Sequence, residues 1–374
     1  MKIAFATGSL EPGRDGVGDY VRTLAAECVR LGHEVRLLAL AEPAAPSAAT
    51  EAATVRRQTL AETRADEGRA ARRWLDEFAP DWVSLHFVPY GFHPGGFFGP
   101  VVPALAHVLG AGRRRQVFFH EIWIDLDPDA PLRTKLTGWW QRRAVRRLLS
   151  MAAPDAVHTS SACYRAALAA LGTDAAILPV FGNVPLASAG TAAATLPGIP
   201  TDGLLCGHFG SLHPGGLPDE FLGEFMRFAT AQGRPPVLVA VGALRAGAAD
   251  FDSAAARWRG RMHCVRLGEL PVQELAAVFA RFDFGVTSVP WHLLGKSGSA
   301  AALREHGLRV VVTRAAPPRL AAAAVTDDPG FHLWRPAQPL PPEILIRLPR
   351  PAGAEMCARA WLGDLSAAAS PVHD

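Results

Sequence analysis

Short apolar runs alternate with amphipathic stretches along the chain. Runs of about six residues bounded by turn residues predict buried strands, and apolar residues recurring every three or four positions predict helices. The predicted strands cover residues 2–7, 34–40, 82–87, 116–119, 156–160, 175–179, 204–209, 236–241, 262–267, 284–289 and 308–312. The predicted helices cover about 20–31, 101–109, 132–151, 162–171, 219–231, 272–280 and 354–369, with an Ala-rich helix that ends at Leu303. The polar, Ala- and Arg-rich stretch 41–73 is predicted to be helical with a loose start.

This order of elements predicts an α/β protein with two Rossmann-like, doubly wound domains. Each half begins with a strand, a Gly-rich loop and a helix, which is how a doubly wound parallel sheet begins. The stretch 186–203 is rich in Ala, Thr, Gly and Pro without periodicity, which predicts a linker. We therefore expect an N-terminal domain at 1–188, a linker at 189–203 and a C-terminal domain at 204–353, facing each other across a cleft.

Composition narrows the class of protein without identifying a ligand. The 374 residues are 49% hydrophobic and 20% charged, which is ordinary for a folded, soluble protein. The net charge of +3 gives no nucleic-acid footprint. The five cysteines are scattered without metal spacing, which favours a reducing compartment. The N-terminal apolar run is too short for a signal peptide, and no run approaches the roughly 18 residues of a membrane span. A cytoplasmic protein is expected.

The turn between the strand 284–289 and the following helix carries the first candidate site. It reads Gly295-Lys296-Ser297-Gly298-Ser299. Small residues let the backbone approach a ligand, and the N-terminus of a helix suits a phosphate. The lysine adds a full positive charge, and the serines add hydroxyl donors. The turn is not a P-loop, because Pro290 occupies the position of the first glycine. A plain strand-turn-helix with a serine cap is the alternative.

Two stretches of the N-terminal half are further candidates. Gly16 and Gly18 open a helix after the first strand, where open α/β sheets bind ligands, although their spacing is not that of a dinucleotide fingerprint. A flexible turn is the alternative there. The stretch 88–100, with Tyr90 and His93, follows the strand 82–87 and is either an acceptor-facing loop or a packed turn.

Two charged segments have two interpretations each. Asp125, Asp127 and Asp129 have a spacing that could hold a divalent metal, or they form an acidic turn that caps the next helix. The helix 132–151 carries Trp139, Trp140 and many arginines. It could lie on an anionic membrane, or it packs on the sheet with its arginines solvated.

Several segments, taken in their order and spacing, resemble a known family. They are Gly16-Val17-Gly18-Asp19-Tyr20 with Leu24, Leu31-Gly32-His33-Glu34-Val35, Pro154-Asp155-Ala156-Val157 with Thr159-Ser160, Ile177-Leu178-Pro179 with Gly182-Asn183-Val184, Gly268-Glu269-Leu270 with Glu274-Leu275, Asp283, and the strand at Gly307–Val312. Together they resemble the retaining family 4 glycosyltransferases of the GT-B fold, and the resemblance covers most of the chain.

The resemblance implies two Rossmann-like domains, with the donor held mainly by the second, and a C-terminal helix, 354–374, that packs back on the first. It implies transfer of a sugar from a nucleoside diphosphate donor to an unknown acceptor hydroxyl, with no cofactor and no metal. It places His120 at the catalytic centre, where it would orient the sugar, with Glu121 beside it; a purely structural core histidine is the alternative. The remaining implied contacts are Gly16, Gly18, Gly210, Ser211, Gly295, Lys296, Ser297, Gly298 and Ser299 for the donor phosphates, Gly242, Leu267, Gly268 and Leu270 for the nucleotide, and Asp19, Tyr20, Tyr90 and His93 for the acceptor.

The sequence departs from the family pattern at two positions. Family members often carry Glu-x7-Glu before the strand at 308–312, and alignment on Gly307 places those glutamates at Leu294 and Ala302. Lys296 with Ser297 could compensate. The departure leaves three other hypotheses open: a catalytically inactive nucleotide-sugar binding or scaffold protein, a metal-dependent transferase that uses the three aspartates, and an epimerase on the same fold.

Overall fold

The computed structural model describes residues 1–374 except 15, 50–53, 60–64, 127–129, 187–198, 318–319, 321–327, 352 and 370–374, and it omits the side chains of 43–49, 58–59 and 65–67. Most of the predicted linker therefore lies outside the described residues. The chain divides into two compact units, residues 1–179 with 354–374, and residues 180–353.

The first part of the chain forms β1 (Lys2–Thr7), α1 (Gly16–Arg30), β2 (Glu34–Ala39), β3 (Ala41–Ala49), β4 (Thr54–Thr59), α2 (Ala65–Phe78), β5 (Trp82–Phe87), α3 (Pro89–Phe92), α4 (Val102–Leu109), β6 (Arg114–Phe119), α5 (Leu132–Ala152), β7 (Ala156–Thr159), α6 (Ala162–Ala169) and β8 (Ala176–Ile177). The second part forms β9 (Leu204–Phe209), α7 (Asp219–Ala231), β10 (Pro236–Val241), α8 (Ala248–Arg257), β11 (His263–Gly268), α9 (Val272–Arg281), β12 (Phe284–Thr287), α10 (Gly298–Glu305), β13 (Val310–Val312), β14 (Phe331–Leu333) and α11 (Ala354–Ala369).

The first unit contains an eight-stranded sheet in the order β3-β4-β2-β1-β5-β6-β7-β8. All neighbours pair in parallel except β3 and β4, which are antiparallel. The strand that follows β1 in sequence, β2, lies on one side of the β1–β5 pair, and the strand that follows β5, β6, lies on the other, so the strand order reverses between β1 and β5. Ligands bind at the carboxyl ends of strands at such a reversal. The loops after β1 and β5 are therefore the places to look for a site.

The helix predicted over 41–73 is wrong for its first part. Residues 41–49 form β3 and residues 54–59 form β4, and the helix begins only at Ala65. Pro43 and Pro46 lack the backbone N–H groups that a helix needs. Val55 pairs with Leu37 of β2 and is buried, so the sheet offers this segment a partner that its composition did not reveal.

The C-terminal helix α11 completes the core of the first unit. Trp361 is fully buried and stacks on Phe5 of β1, with ring centroids 5.2 Å apart. The hydroxyl of Tyr20 lies 3.1 Å from the Cys357 Sγ, within hydrogen-bonding distance. Arg114 donates hydrogen bonds to the last carbonyls of α11, 2.7 Å for that of Ala368. The end of the chain is therefore an integral layer of this unit.

The second unit contains a six-stranded sheet, all parallel, in the order β11-β10-β9-β12-β13-β14. One face is covered by a cluster that includes Phe221, Phe225 and Trp334, and the other by a cluster that includes Phe279 and Leu303. Both faces of a parallel sheet are normally covered in this way. The strand order reverses between β9 and β12, which makes the loops after these two strands the expected ligand edge.

Candidate functional site

Three glycines meet at the carboxyl edge of the second sheet. Gly210, Gly242 and Gly268 close β9, β10 and β11, and each has a left-handed backbone, with φ of 82°, 90° and 72°. The Gly210 amide donates to the Val241 carbonyl at 2.9 Å, and the Gly242 amide donates to the Gly268 carbonyl at 2.7 Å. Because glycine adopts this left-handed conformation without strain, the chain can turn sharply at the end of each strand and the three turns lie close together. The edge therefore presents backbone rather than side chains.

The start of α10 lies against this glycine edge. A Cβ atom built on Gly210 would lie 3.2 Å from the Cβ of Ser299. Ser297 caps the helix, since its hydroxyl accepts a hydrogen bond from the Ala300 amide at 3.2 Å. The hydroxyls of Ser297 and Ser299 are 3.3 Å apart. The phosphate site and the serine cap, which the sequence offers as alternatives, are thus compatible with one geometry, because the cap uses one lone pair of Ser297.

Two hydrogen bonds connect the loop after β9 to residues that follow β12 and β13. The His213 amide donates to the Ser288 hydroxyl at 2.9 Å, and Thr313 donates to the Gly216 carbonyl at 2.6 Å. Ser211 is exposed at the start of this loop. Lys296 ends the single-turn helix Trp291–Lys296 and is half-buried. The structure thus brings Gly210, Gly242, Gly268 and Ser299 together, with Gly295, Lys296, Ser297 and Gly298 in the segment that leads into α10.

The two leucines predicted to contact the nucleotide lie beside the same edge. Leu267 is the next-to-last residue of β11 and Leu270 follows the strand, and both are partly buried against the cluster that contains Phe279. Phe209, the last residue of β9, packs on that cluster too and meets Phe279 edge to face, with centroids 5.0 Å apart. An apolar wall therefore adjoins the glycine edge.

The positions of the missing family glutamates are apolar and closed. Leu294 is 5% exposed and packs with Ala300 and Val312, while Ala302 is fully buried. A Cβ atom on Gly182 would lie 2.5 Å from the Cα of Ala302, so the segment around Gly182 runs directly over α10 at this point. A longer side chain at 302 has no room.

Glu305 is the acidic residue of this region that the sequence did not single out. Its Oε1 accepts a hydrogen bond from the Gly182 amide at 2.9 Å, which fixes the entering segment on α10. Burial raises the pKa of Glu305 to about 7, against the weaker opposing effect of that hydrogen bond. A glutamate at the end of an amphipathic helix normally faces water, so nothing in the pattern indicated a contact that depends on residues 123 positions apart.

In the first unit, His120 follows β6 and lies against His86 of β5. His86 Nδ1 and His120 Nε2 are 2.9 Å apart, and both rings stack on Phe118. Tyr20 meets the ring of His120 edge-on, with centroids 4.9 Å apart. His120 is 6% exposed and His86 is fully buried. The histidine is thus held by aromatic rings on several sides.

Burial keeps both imidazoles neutral. It lowers the pKa of His120 to about 3 and, together with His120 and His158, lowers that of His86 well below the usual value. His86 Nε2 is buried and has no hydrogen-bond partner among the described residues. An unpaired acceptor nitrogen is more tolerable than an unpaired N–H, so we place the His86 proton on Nδ1. His86 then donates to His120 Nε2, and His120 carries its own proton on Nδ1.

The loop after β1 is fixed by a buried carboxylate. Glu42 accepts hydrogen bonds from the Ser9 hydroxyl and from the amides of Leu10 and Glu11, the latter two at 2.6 and 2.9 Å. Arg57 pairs with the same carboxylate at 2.9 Å. Burial opposes ionisation of Glu42, but these hydrogen bonds and the arginine outweigh it and lower its pKa. Sequence reasoning missed Glu42 because it assigned this stretch to a helix.

The predicted acceptor residues divide into buried and exposed groups. Asp19 is 8% exposed, and its Oδ1 accepts hydrogen bonds from the Gly13 amide and from Arg22. Tyr20 is buried between His120 and Cys357. Gly16 is exposed at the first residue of α1, and Gly18 is buried in its first turn.

The loop after β5 lies beside the loop after β1. A Cβ atom on Gly8 would lie 2.4 Å from the Gly91 carbonyl oxygen, so the two backbones touch. Tyr90 is 43% exposed, whereas His93 Nδ1 accepts hydrogen bonds from the amides of Gly95 and Phe97. Glu121 is partly buried immediately after His120. Tyr90 and Glu121 therefore remain accessible, and His93 closes a turn.

The aspartate spacing is only partly described. Asp127 and Asp129 lie outside the described residues. A Cβ atom on Gly138 would lie 2.3 Å from the Asp125 carboxyl carbon, so this carboxylate packs on α5, and burial raises its pKa. Across the described parts of the chain, no group of three or more His, Cys, Asp or Glu side chains is placed to hold a metal ion.

Comparison with known proteins agrees with the fold. Residues 15–183 match the family described as "Glycosyl transferase 4-like domain". No curated protein matches the chain in sequence.

Solved structures extend the likeness in fold beyond the matched region. A sucrose-phosphate synthase from Thermosynechococcus elongatus is 14% identical to this chain, with a TM-score of 0.57, and the match covers 86% of this chain and 87% of the synthase chain. HepE from Anabaena, solved with UDP and glucose, is 18% identical with a TM-score of 0.53 and covers 84% and 81%. The catalytic domain of starch synthase IV from Arabidopsis thaliana, bound to ADP and acarbose, is 12% identical with a TM-score of 0.50 and covers 83% and 82%. The predicted GT-B fold class is thereby confirmed.

Proposed function

We propose that this GT-B, glycosyl transferase 4-like protein transfers a hexose from a nucleoside diphosphate sugar to an acceptor hydroxyl with retention of the anomeric configuration. The supporting observation is the meeting of the Gly210, Gly242 and Gly268 turns with the start of α10 at the strand-order reversal of the second sheet. Such an edge suits a diphosphate, because glycine turns let a ligand approach the backbone closely and a helix N-terminus favours negative charge.

The chemical task of this edge is to stabilise the departing diphosphate. Negative charge develops on the leaving group as the glycosidic bond breaks, and donors that are already in place favour that charge. We assign this role to Lys296, to the Ser297 and Ser299 hydroxyls and to the amides around Gly298. Removing one such donor from a dry site costs on the order of 10²-fold in rate. In this account the leaving phosphate accepts the proton of the acceptor hydroxyl.

His120 is assigned to the sugar rather than to proton transfer. A histidine with a pKa of about 3 is uncharged at neutral pH and is a poor general base. Its Nδ1–H, in the tautomer set by His86, is a hydrogen-bond donor to a sugar hydroxyl. Glu121 is the adjacent carboxylate, and we place it in support of the same contact.

Two of the structural neighbours make the nucleotide the first thing to test. HepE was solved with UDP, and starch synthase IV with ADP. We therefore propose calorimetric titration of UDP, GDP, ADP and dTDP into the wild type and into Lys296→Ala, each with and without a chelator. Lys135→Ala, which removes an exposed lysine of α5, is the matched control. The proposal expects one preferred nucleotide, at least tenfold weaker binding in Lys296→Ala only, and no effect of the chelator.

The other outcomes separate the remaining hypotheses. Binding that is lost with the chelator favours a metal-dependent site at Asp125 and its neighbours. Absence of binding by all four nucleotides refutes the donor site in the second unit.

A nucleotide-sugar binding protein without turnover is the second candidate. It is favoured by Leu294 and Ala302, which are buried in apolar contacts where family glutamates are often found. Release of nucleoside diphosphate from the preferred donor sugar, measured with a panel of acceptors, distinguishes the two. Release of the nucleoside diphosphate together with formation of an α-linked product from an α-linked donor supports retaining transfer. Tight binding without release or transfer supports the second candidate, and conversion of the donor sugar without any acceptor supports an epimerase.

A further inference from the structure

The helix α5 has two apolar faces, of which only one is used by the fold. Its inner face is buried through Ala144, Val145 and Leu148. Its outer face exposes four large apolar side chains, with exposed fractions of 73% for Leu132, 60% for Leu136, 50% for Trp139 and 47% for Trp140. Residues at spacings of four, seven and eight lie along one side of a helix, so these four form a continuous stripe. An exposed stripe of this kind normally marks an interaction surface.

The charge of α5 indicates which kind of surface it meets. The helix contains six basic residues and no acidic one: Arg133, Lys135, Arg142, Arg143, Arg146 and Arg147. Arg143 and Arg147 continue the line of the apolar stripe towards the C-terminus, and Lys135 and Arg146 flank it. The Arg143 guanidinium lies 5.1 Å from the centre of the Trp139 ring, so charge and aromatic surface adjoin.

The stripe is supported from beneath and widened by a neighbouring loop. Trp140 lies against Gly99, where a Cβ atom would come within 2.9 Å of the indole. Phe97, itself 42% exposed, meets Trp140 edge to face with centroids 6.2 Å apart. The described part of this surface is therefore held in place before any partner binds.

We infer that the outer face of α5 docks the protein on an anionic lipid surface. Leucine and tryptophan side chains enter the boundary between headgroups and acyl chains, while arginines pair with lipid phosphates. No helix among the described residues is long and apolar enough to cross a bilayer, so the contact is made by a helix lying in the interface plane. A core contact would not call for six basic residues on a helix that carries no acidic one, whereas an anionic bilayer complements them.

The test is flotation of the full chain with vesicles of phosphatidylcholine alone or of phosphatidylcholine and phosphatidylglycerol in equal parts, without nucleotide. We expect binding to the anionic vesicles only, and its loss at high salt. Leu132→Glu with Leu136→Glu is expected to reduce binding at least tenfold. Met356→Glu with Ile346→Glu is the matched control, since it adds the same two charges at apolar residues that are 51% and 56% exposed outside α5.

A second pair of variants tests the charge. Arg146→Gln with Arg147→Gln is expected to weaken binding on the order of tenfold, because each basic residue near the surface contributes to attraction. Arg165→Gln with Arg259→Gln removes the same charge from exposed residues elsewhere and is expected to have no more than a small effect. Circular dichroism verifies that each variant is folded.

Three results would overturn the inference. The first is absence of binding to anionic vesicles, and the second is an equal loss of binding in the matched control variants. The third is a wild-type dimer in light scattering that the Leu132 and Leu136 variants convert to a monomer, which would assign the face to a second copy of the chain. Because no donor is present, the result does not depend on the transfer reaction proposed above.

Discussion

Replacing Glu305 by Gln is expected to stabilise the second unit at alkaline pH. The carboxyl is buried beside Gly182, and its pKa is raised from 4.5 to about 7. A raised pKa means that the folded state favours the protonated form. Stability contributed by the proton is complete below pH 4.5 and is lost as the pH rises through about 7. Gln keeps the oxygen that accepts the Gly182 hydrogen bond and never carries the charge.

The size of the effect follows from the pKa shift. A shift of one unit corresponds to about 1.4 kcal/mol, so the ionised Glu305 destabilises the folded state by about 3 kcal/mol at pH 8 and by about 1 kcal/mol or less at pH 5. In a unit of this length, 1 kcal/mol corresponds to a change of roughly 2–4 °C in Tm. Glu305→Gln should therefore melt about 6–12 °C above the wild type at pH 8, and close to the wild type at pH 5.

Thermal unfolding followed by calorimetry at several pH values measures this difference, because the two units can then be fitted as separate transitions. All other residues are the same in both proteins, so the difference between the two melting curves reports on Glu305. Glu343→Gln, at an exposed glutamate of the same unit, is the matched control. A constant difference across the pH range, or a Glu305→Gln protein that is less stable at pH 8, would refute the assignment of a buried, proton-binding carboxyl.

Three further predictions concern the site and its supports. His120→Ala should lower the transfer rate at least 10²-fold, and His86→Phe should lower it less, with nucleotide affinity unchanged in both by calorimetry; a wild-type rate in either variant contradicts the assigned roles. Ala302→Glu, which would restore a family glutamate, should destabilise the second unit by several kcal/mol in a melting experiment, because Gly182 leaves no room for it; a stable variant with tighter donor binding contradicts this. Glu42→Gln should remove acid-sensitive stability, since a lowered pKa means that stability is present above the unfolded pKa and is lost as the pH falls, and identical acid unfolding of variant and wild type contradicts it.

The sequence predicted the sheet strands well where apolar runs end in turn residues. The predicted strands 82–87, 204–209 and 236–241 and the helices 219–231 and 354–369 have the bounds that the structure gives. In these places the local pattern and the tertiary structure agree. The helix predicted for the first part of 41–73 was wrong, because β3 and β4 form at the edge of the sheet. These strands are stabilised by the pairing of β4 with β2, which local composition does not describe. The helix α8 and the strand β14 were not predicted.

The candidate site was predictable where it depends on backbone turns and not where it depends on pairing. Gly210, Gly268 and the 295–299 turn follow strands, and parallel strands place their carboxyl ends at one edge, so they could be found by reading along the chain. The contact of His86 with His120 depends on β5 and β6 being neighbours in register, with His86 opposite Phe118. The roles of Glu42 and Glu305 depend in the same way on segments distant in sequence. Strand order and burial, rather than residue type, decide these contacts.

The position of α11 has a consequence for how the protein is made. Residues 1–179 leave the ribosome first, yet the layer that covers Phe5 comes from the last part of the chain, after residues 180–353. At about 5–20 residues per second, the first sheet waits on the order of ten seconds or more for Trp361. The second unit is continuous in sequence and can complete its core earlier. The sheet of residues 1–179 is therefore translated before the second unit and completed after it.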